Sequence, residues 1–167
     1  NIPTEENFCM PHNKKINGVV VATKPLNYGG KLIEDFSLTF KDGKVVEYDA
    51  KKEKEALKSL IEFDKGSSSL GEVALISHDS PISNMNILFY NTLFDENASC
   101  HLALGASYTT TNLKDADKYT EEELDELGSN QSHTHVDFMF GSPDMEVTGL
   151  THDGKVIQIF KNGNFVF

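Results

Sequence analysis

The run His133-Thr134-His135-Val136-Asp137 leads directly into Phe138-Met139-Phe140. Alternate side chains of a strand share a face, so His133, His135 and Asp137 are expected to project together while Val136, Phe138 and Phe140 turn toward a core. Two imidazoles and a carboxylate at that spacing suit zinc, cobalt or manganese; they also describe a histidine pair at the polar mouth of a strand. Glu72 stands in the apolar run Leu70-Gly71-Glu72-Val73-Ala74-Leu75-Ile76. A carboxylate among aliphatics must be paired, ligated or left at an exposed strand end, because burying an unpaired charge is costly. His101, within Ala98-Ser99-Cys100-His101-Leu102-Ala103-Leu104-Gly105, is either a hydrogen-bonded core histidine or a ligand. Cys100 beside it makes a poor Cys/His nucleophile pair, since neighbours on a strand point to opposite faces. Glu5-Glu6 would ordinarily be solvated. Taken together, Glu6, Glu72, His101, His135 and Asp137 supply three carboxylates and two imidazoles, a workable ligand set for two divalent cations sharing a water.

These residues need elements to hold them. Val19-Val20-Val21 reads as a short strand ended by Pro25. Leu32 to Phe40 alternates, with Leu32, Phe36, Leu38 and Phe40 on one face, and Asp42-Gly43 predicts a tight hairpin into a return strand from Val45 to Tyr48. Asp49 is expected to cap a helix running to about Asp64, with Ala50, Leu57, Leu60 and Ile61 as its apolar stripe and Gly66 as its stop. Glu72 to Ile76 reads as a buried strand, and Asn86 to Phe94 as either a short helix or a strand. An acidic helix over Glu121 to Leu127 has Thr120 as cap and Gly128 as stop. Val136 to Phe140 is a strand. A last hairpin pairs Met145 to Leu150 with Val156 to Phe160 across His152-Asp153-Gly154, and Asn162-Gly163 turns again before Phe165. Strands with few helices point to an α+β domain with a mixed sheet.

The 167 residues suffice for one domain, 1–167, and no repeat or linker divides them. Hydrophobic residues at 38% and charged residues at 25% describe an ordinary globular chain. The net charge of −11 argues against nucleic acid and anionic membranes as partners, because both need basic patches. No apolar stretch approaches the length of a membrane span. Two cysteines, Cys9 and Cys100, make neither a disulfide framework nor a four-cysteine zinc site. The chain opens Asn1-Ile2-Pro3 with no Met and no secretory signal, so a piece of a longer cytoplasmic protein is expected.

Longer strings carry a resemblance. Ile2-Pro3-Thr4-Glu5-Glu6, Ala22-Thr23-Lys24-Pro25-Leu26, Leu70-Gly71-Glu72-Val73-Ala74-Leu75, and Phe89-Tyr90-Asn91-Thr92-Leu93-Phe94-Asp95-Glu96-Asn97-Ala98 running on into Ser99-Cys100-His101 are similar to the M29 family of metallo-aminopeptidases, the aminopeptidase T and aminopeptidase S group. His135-Val136-Asp137-Phe138-Met139 and Gly141-Ser142-Pro143-Asp144-Met145 continue the match. The resemblance implies the C-terminal catalytic domain of a longer two-domain enzyme, with a mixed, partly barrel-like β-sheet and a few helices. It implies removal of N-terminal residues from peptides by two divalent metal ions, cobalt or zinc, with magnesium or manganese as further possibilities, and a homodimer. Its metal ligands fall on Glu6, Glu72, His101, His135 and Asp137, with Tyr108 also in the site. Glu6, Glu72 and Tyr108 become the catalytic candidates, and His133 has no family role.

Two other readings remain at this level. His133-x-His135-x-Asp137 also resembles the motif of metallo-β-lactamase-like hydrolases, but Phe138 stands where that motif continues with His. Alternatively, the isolated domain folds and dimerises without holding metal, since Glu6 lies near a chain end.

Overall fold

The computed structural model describes residues 4–167, so the Ile2-Pro3 start of the first matching string lies outside the described residues. Three antiparallel sheets organise the described residues. Strands β1 (Asn7–Cys9), β6 (Leu70–Leu75), β7 (His101–Gly105) and β8 (His135–Met139) form the first, in that spatial order. Strands β2 (Gly18–Val21), β3 (Leu26–Tyr28), β4 (Lys31–Lys41) and β5 (Lys44–Lys52) form the second around β4. Strands β9 (Val147–Leu150), β10 (Val156–Lys161) and β11 (Asn164–Phe165) form the third. The α+β class holds, with two amendments. Among the described residues every strand pairing is antiparallel rather than mixed, and the sheets are open, with no closed barrel.

The β4–β5 hairpin turns where expected, with both Asp42 (φ 48°) and Gly43 (φ 86°) in the left-handed region that a primed two-residue turn requires. The strand pattern shifts once. Asp35 is also left-handed, at φ 49°, so Ile33 rather than Leu32 joins Phe36, Leu38 and Phe40 in the core. The first helix differs more. Strand β5 continues through Asp49 and Ala50 to Lys52, and α1 (Lys54–Ile61) starts after a left-handed Glu53. Its buried stripe is Ala56, Leu57, Leu60 and Ile61. Gly66 does not end this helix. It lies in the following loop, where an added Cβ would stand 1.9 Å from the Gln131 carbonyl oxygen. Long pairing with β4 outweighed the capping propensity of Asp49.

The short turn α2 (Pro81–Met85) precedes the stretch Asn86 to Phe94, where the sequence allows helix or strand; that stretch forms no strand and runs into the single turn α3 (Thr92–Asp95), followed by a 3-10 turn over Glu96–Ala98. After α4 (Thr109–Asn112), the acidic helix α5 (Glu121–Glu126) is closed at its start by a capping box between Thr120 and Glu123 and at its end by Gly128 at φ 94°.

Helix α1 and the inner faces of the first two sheets enclose one core. Leu38, Leu57, Leu60, Leu104 and Phe138 lie in it, and the Phe36 and Phe138 rings meet at 5.6 Å. The core fixes which side of the first sheet carries chemistry. On β7, Leu102 and Leu104 point inward, so His101, Ala103 and Gly105 share the opposite face. On β8, Val136 and Phe138 pack inward, leaving His135 and Asp137 on that same outer face.

Candidate metal centre

Register assembles the centre. Across the sheet, Glu72 on β6 and Asp137 on β8 both pair with Ala103 on β7, and His135 pairs with Gly105. Directly opposed residues share a face, so both acids flank the small Ala103 side chain, with His101 two residues back along β7. Glu72 reaches this face because the β6–β7 register shifts between Leu70 and Glu72. Leu70 can therefore join the core two residues before the acid. Glu6 arrives from just before β1, which pairs with β6 from Asn7 onward.

One oxygen of Glu72 lies 3.5 Å from His101 Nε2, and the other lies 3.5 Å from His135 Nε2. Glu6 approaches His101 Nε2 to 3.3 Å, and Asp137 approaches His135 Nε2 to 3.4 Å. Two groups result, Glu6-Glu72-His101 and Glu72-His135-Asp137, each with its ligand atoms within 4.8 Å of one another. Glu72 belongs to both.

Each imidazole is aimed by its other nitrogen. His101 Nδ1 lies 3.0 Å from the Ser99 carbonyl oxygen, and His135 Nδ1 lies 2.7 Å from that of Ala106. A neutral ring donating there turns its Nε2 lone pair toward the carboxylates, the arrangement that metal-binding histidines use. Two glycines permit the second of these contacts. A Cβ on Gly71 would stand 2.1 Å from the Ala106 carbonyl oxygen, and one on Gly105 (φ 108°) would stand 2.1 Å from that of Thr134.

The residues fit a divalent cation on two counts. His101 Nε2 is buried without a hydrogen-bond partner, its carboxylate neighbours lying at charge-contact rather than good hydrogen-bond geometry. The donor set of imidazole and carboxylate is also the one that zinc and cobalt take. Without a cation, protons fill its place. Burial would push the His101 ring down, but Glu6 and Glu72 outweigh it and raise the group to about 10. Burial also opposes charge on His135, and Asp137 overcomes it, raising that ring to about 8.

Of the residues expected from sequence, Glu6, Glu72, His101, His135 and Asp137 come together. Tyr108 lies at the rim, half exposed, its ring 4.6 Å from that of His135. Burial, and then the charges of Asp137, Glu72 and Glu96, push its phenol up. His133 does not join. It precedes β8 in an exposed loop, and its backbone N–H donates to Asp64. The thiol of Cys100 is turned away and held between the backbone N–H and carbonyl of Ile76.

Glu96 was missed. It lines the same cavity of about 690 Å³ as Glu6, Glu72, Tyr108, His135 and Asp137. Burial and then the charge of Asp137 push its carboxyl well above the ordinary range. The local sequence places it. Asn91 caps α3 at Leu93, and Asp95 accepts from the backbone of Phe89 and Asn91, folding the segment back so that Glu96 faces the sheet. An acid following such a self-bonding Asn-x-x-x-Asp turn, five residues ahead of His101, was the available signal.

The model of the thermophilic metalloprotease family, M29, matches residues 1–165. The chain belongs to this family. It is 55% identical over 167 residues to aminopeptidase 2 of Geobacillus stearothermophilus, and 42% identical over 166 residues to aminopeptidase T of Thermus aquaticus. These alignments cover 100% and 99% of this chain but 40% of either relative, so the chain spans about two-fifths of their length. The solved structure of wild-type AmpT from Thermus thermophilus superposes with a TM-score of 0.91 at 42% identity, over all of this chain and 41% of that one. Membership in a metalloprotease family agrees with a divalent-metal requirement at the carboxylate-imidazole cluster. No helix among the described residues is long and apolar enough to cross a membrane.

Proposed function

We propose that this protein is a metal-dependent aminopeptidase whose site would take two divalent cations, cobalt or zinc, with Glu72 belonging to both ligand groups. One cation falls to Glu6, Glu72 and His101, the other to Glu72, His135 and Asp137. The observation that carries this reading is the double reach of Glu72, with one oxygen toward each histidine. Cations held there supply polarisation of the scissile carbonyl and activation of the attacking water.

The chain's own groups do the rest. The Ser99 and Ala106 carbonyls keep the imidazoles in the ligating tautomer. Tyr108, at the rim beside His135, is placed to donate to the oxygen that gains charge during attack. Glu96 adds a carboxyl outside both groups on the Asp137 side, available to complete the ligand set or to pass a proton to the leaving amine. Glu6 and Glu72 are spoken for as ligands first. The acidic wall attracts a substrate's free ammonium group, which selects peptides with an unblocked N-terminus. The two-fifths share of the relatives' length supports reading the chain as the catalytic domain of a longer enzyme; that this enzyme works as a cytoplasmic homodimer rests on the family resemblance alone.

Elemental analysis of tag-free protein, paired with hydrolysis of free and N-acetylated peptides, tests this. Two ions per chain with cleavage of the free peptides alone is the expected result. Equal cleavage of blocked peptides, or one ion or none after loading, would sink it.

A further inference from the structure

Away from the cluster, the Asp64 carboxylate is densely bonded. Its Oδ1 accepts from the backbone N–H groups of Gly66 and Ser67 at 2.8 and 2.9 Å, and from the Ser67 hydroxyl at 2.8 Å. The Ser132 hydroxyl sits 2.9 Å from both oxygens, and the His133 N–H donates to Oδ2 at 2.7 Å. These bonds tie the loop after α1 to the loop ahead of β8. Gly66 lets the two loops approach this closely, and the buried Asn130 amide bonds the carbonyls of Gly66 and Gly105 at 2.9 and 2.7 Å.

The clasp leads into the centre. One residue past His133, the Thr134 carbonyl accepts from the Ala106 N–H at 2.7 Å. The carbonyl of Ala106 in turn holds His135 Nδ1. His101 takes its orientation from Ser99, at the other end of β7, and among the described residues no hydrogen bond joins Ser99 or His101 to Asp64.

We propose that Asp64 is a positioning residue for one half of the centre: it fixes the Ser132-His133 turn, which sets Ala106 and through it the ring of His135. This rests on the two-cation reading above. An amide cannot substitute for the carboxylate, because its nitrogen has no lone pair for the second set of donors.

The test uses the full-length protein, stripped of metal and titrated with zinc by calorimetry, as wild type and as Asp64→Asn. His135→Ala identifies which binding step belongs to that half. Outer partners of metal-bound histidines are typically worth about 10- to 100-fold in affinity. The variant is expected to lose about tenfold in the His135 step and to keep the His101 step. In the metal-free proteins, the Nδ1 proton resonance of His135 should shift or broaden in the variant, while that of His101 stays. A purely structural role would lower thermal stability and leave this asymmetry out; equal weakening of both steps, or of neither, overturns the proposal. Wild type that binds no zinc would instead refute the two-cation reading, and the proton resonances would then decide the positioning role alone. Should Asp64→Asn fail to fold, Ser132→Ala removes one donor and is expected to show the same asymmetry, smaller; an unchanged His135 step and resonance there overturns the proposal.

Discussion

The two halves of the centre are built differently. His101 lies on a strand flanked on both sides, its side chain 1% exposed and its Nε2 an orphan. His135 lies on the edge strand, its side chain 17% exposed, against the Tyr108 ring and the open cavity. The enclosed half is fixed by burial and strand register. The open half is fixed by polar bonds from loops, which leaves room for a substrate to approach. Glu72 joins the two, so its replacement removes the contrast altogether. Glu72→Gln keeps the shape but puts an amide N–H toward one of the histidines. Loss of both cations and a fall in peptidase activity of more than about a hundredfold are expected, above the range seen for outer partners. Elemental analysis beside steady-state kinetics checks this, and unchanged turnover would remove Glu72 from the site.

Acidity sharpens the contrast next. The metal-free His101 ring is raised to about 10 and His135 to about 8, both above the ordinary value of about 6.5. A group raised on folding contributes stability that is complete below its unfolded value and is lost as pH climbs through its folded value. The metal-free protein should therefore lose thermal stability in two stages, through about 8 as His135 gives up its proton and through about 10 as His101 does. Bound cations need neutral rings, so loading should release protons and abolish both stages. Melting curves of stripped and loaded protein at pH 6 to 11 test this; a flat metal-free profile would count against the protonated pairs.

Much of the enclosed half was legible in the sequence. Glu72 in an aliphatic run and His101 followed by alternating Leu102 and Leu104 are local patterns, and the pleat turns them into faces. The hairpin at Asp42-Gly43 and the capped helix at Thr120 were equally local. The open half was only partly legible. Spacing placed His133 beside His135, but strand pairing begins at Gly105 with His135, so the pleat does not extend to His133. Asp49 looked like a helix cap because its pairing with Ser37, across the hairpin, lies outside any local window. Asp64 was invisible for the same reason, and Glu96 showed no more than the turn that precedes it. Their roles come from bonds to residues 41 and about 70 positions away, Asp137 for Glu96 and Ser132 with His133 for Asp64.

A change that meets the open half first separates the two further. Gly71→Ala would place a Cβ 2.1 Å from the Ala106 carbonyl oxygen, and that carbonyl is the partner of His135 Nδ1. Backbone must move, and the ring loses its anchor. Affinity for the cation at His135 should fall about 10- to 100-fold while the one at His101 is retained. Zinc titration reads the difference, and a symmetric loss would mean that Gly71 serves the sheet rather than the ring.

The smallest effect belongs to the rim. Tyr108→Phe keeps the ring against His135 and removes only the hydroxyl. A buried oxyanion donor is typically worth about 100- to 1000-fold in turnover. Tyr108 is 52% exposed, so water can take over part of its task, and a loss of about tenfold is expected. The metal count distinguishes its two possible contributions. Slower turnover with full metal makes the hydroxyl a donor to the reacting oxygen, whereas slower turnover with the His135 cation depleted makes it a ligand. Unchanged turnover would leave Tyr108 only the wall it forms beside the ring, and the open half would then rest on its loops alone.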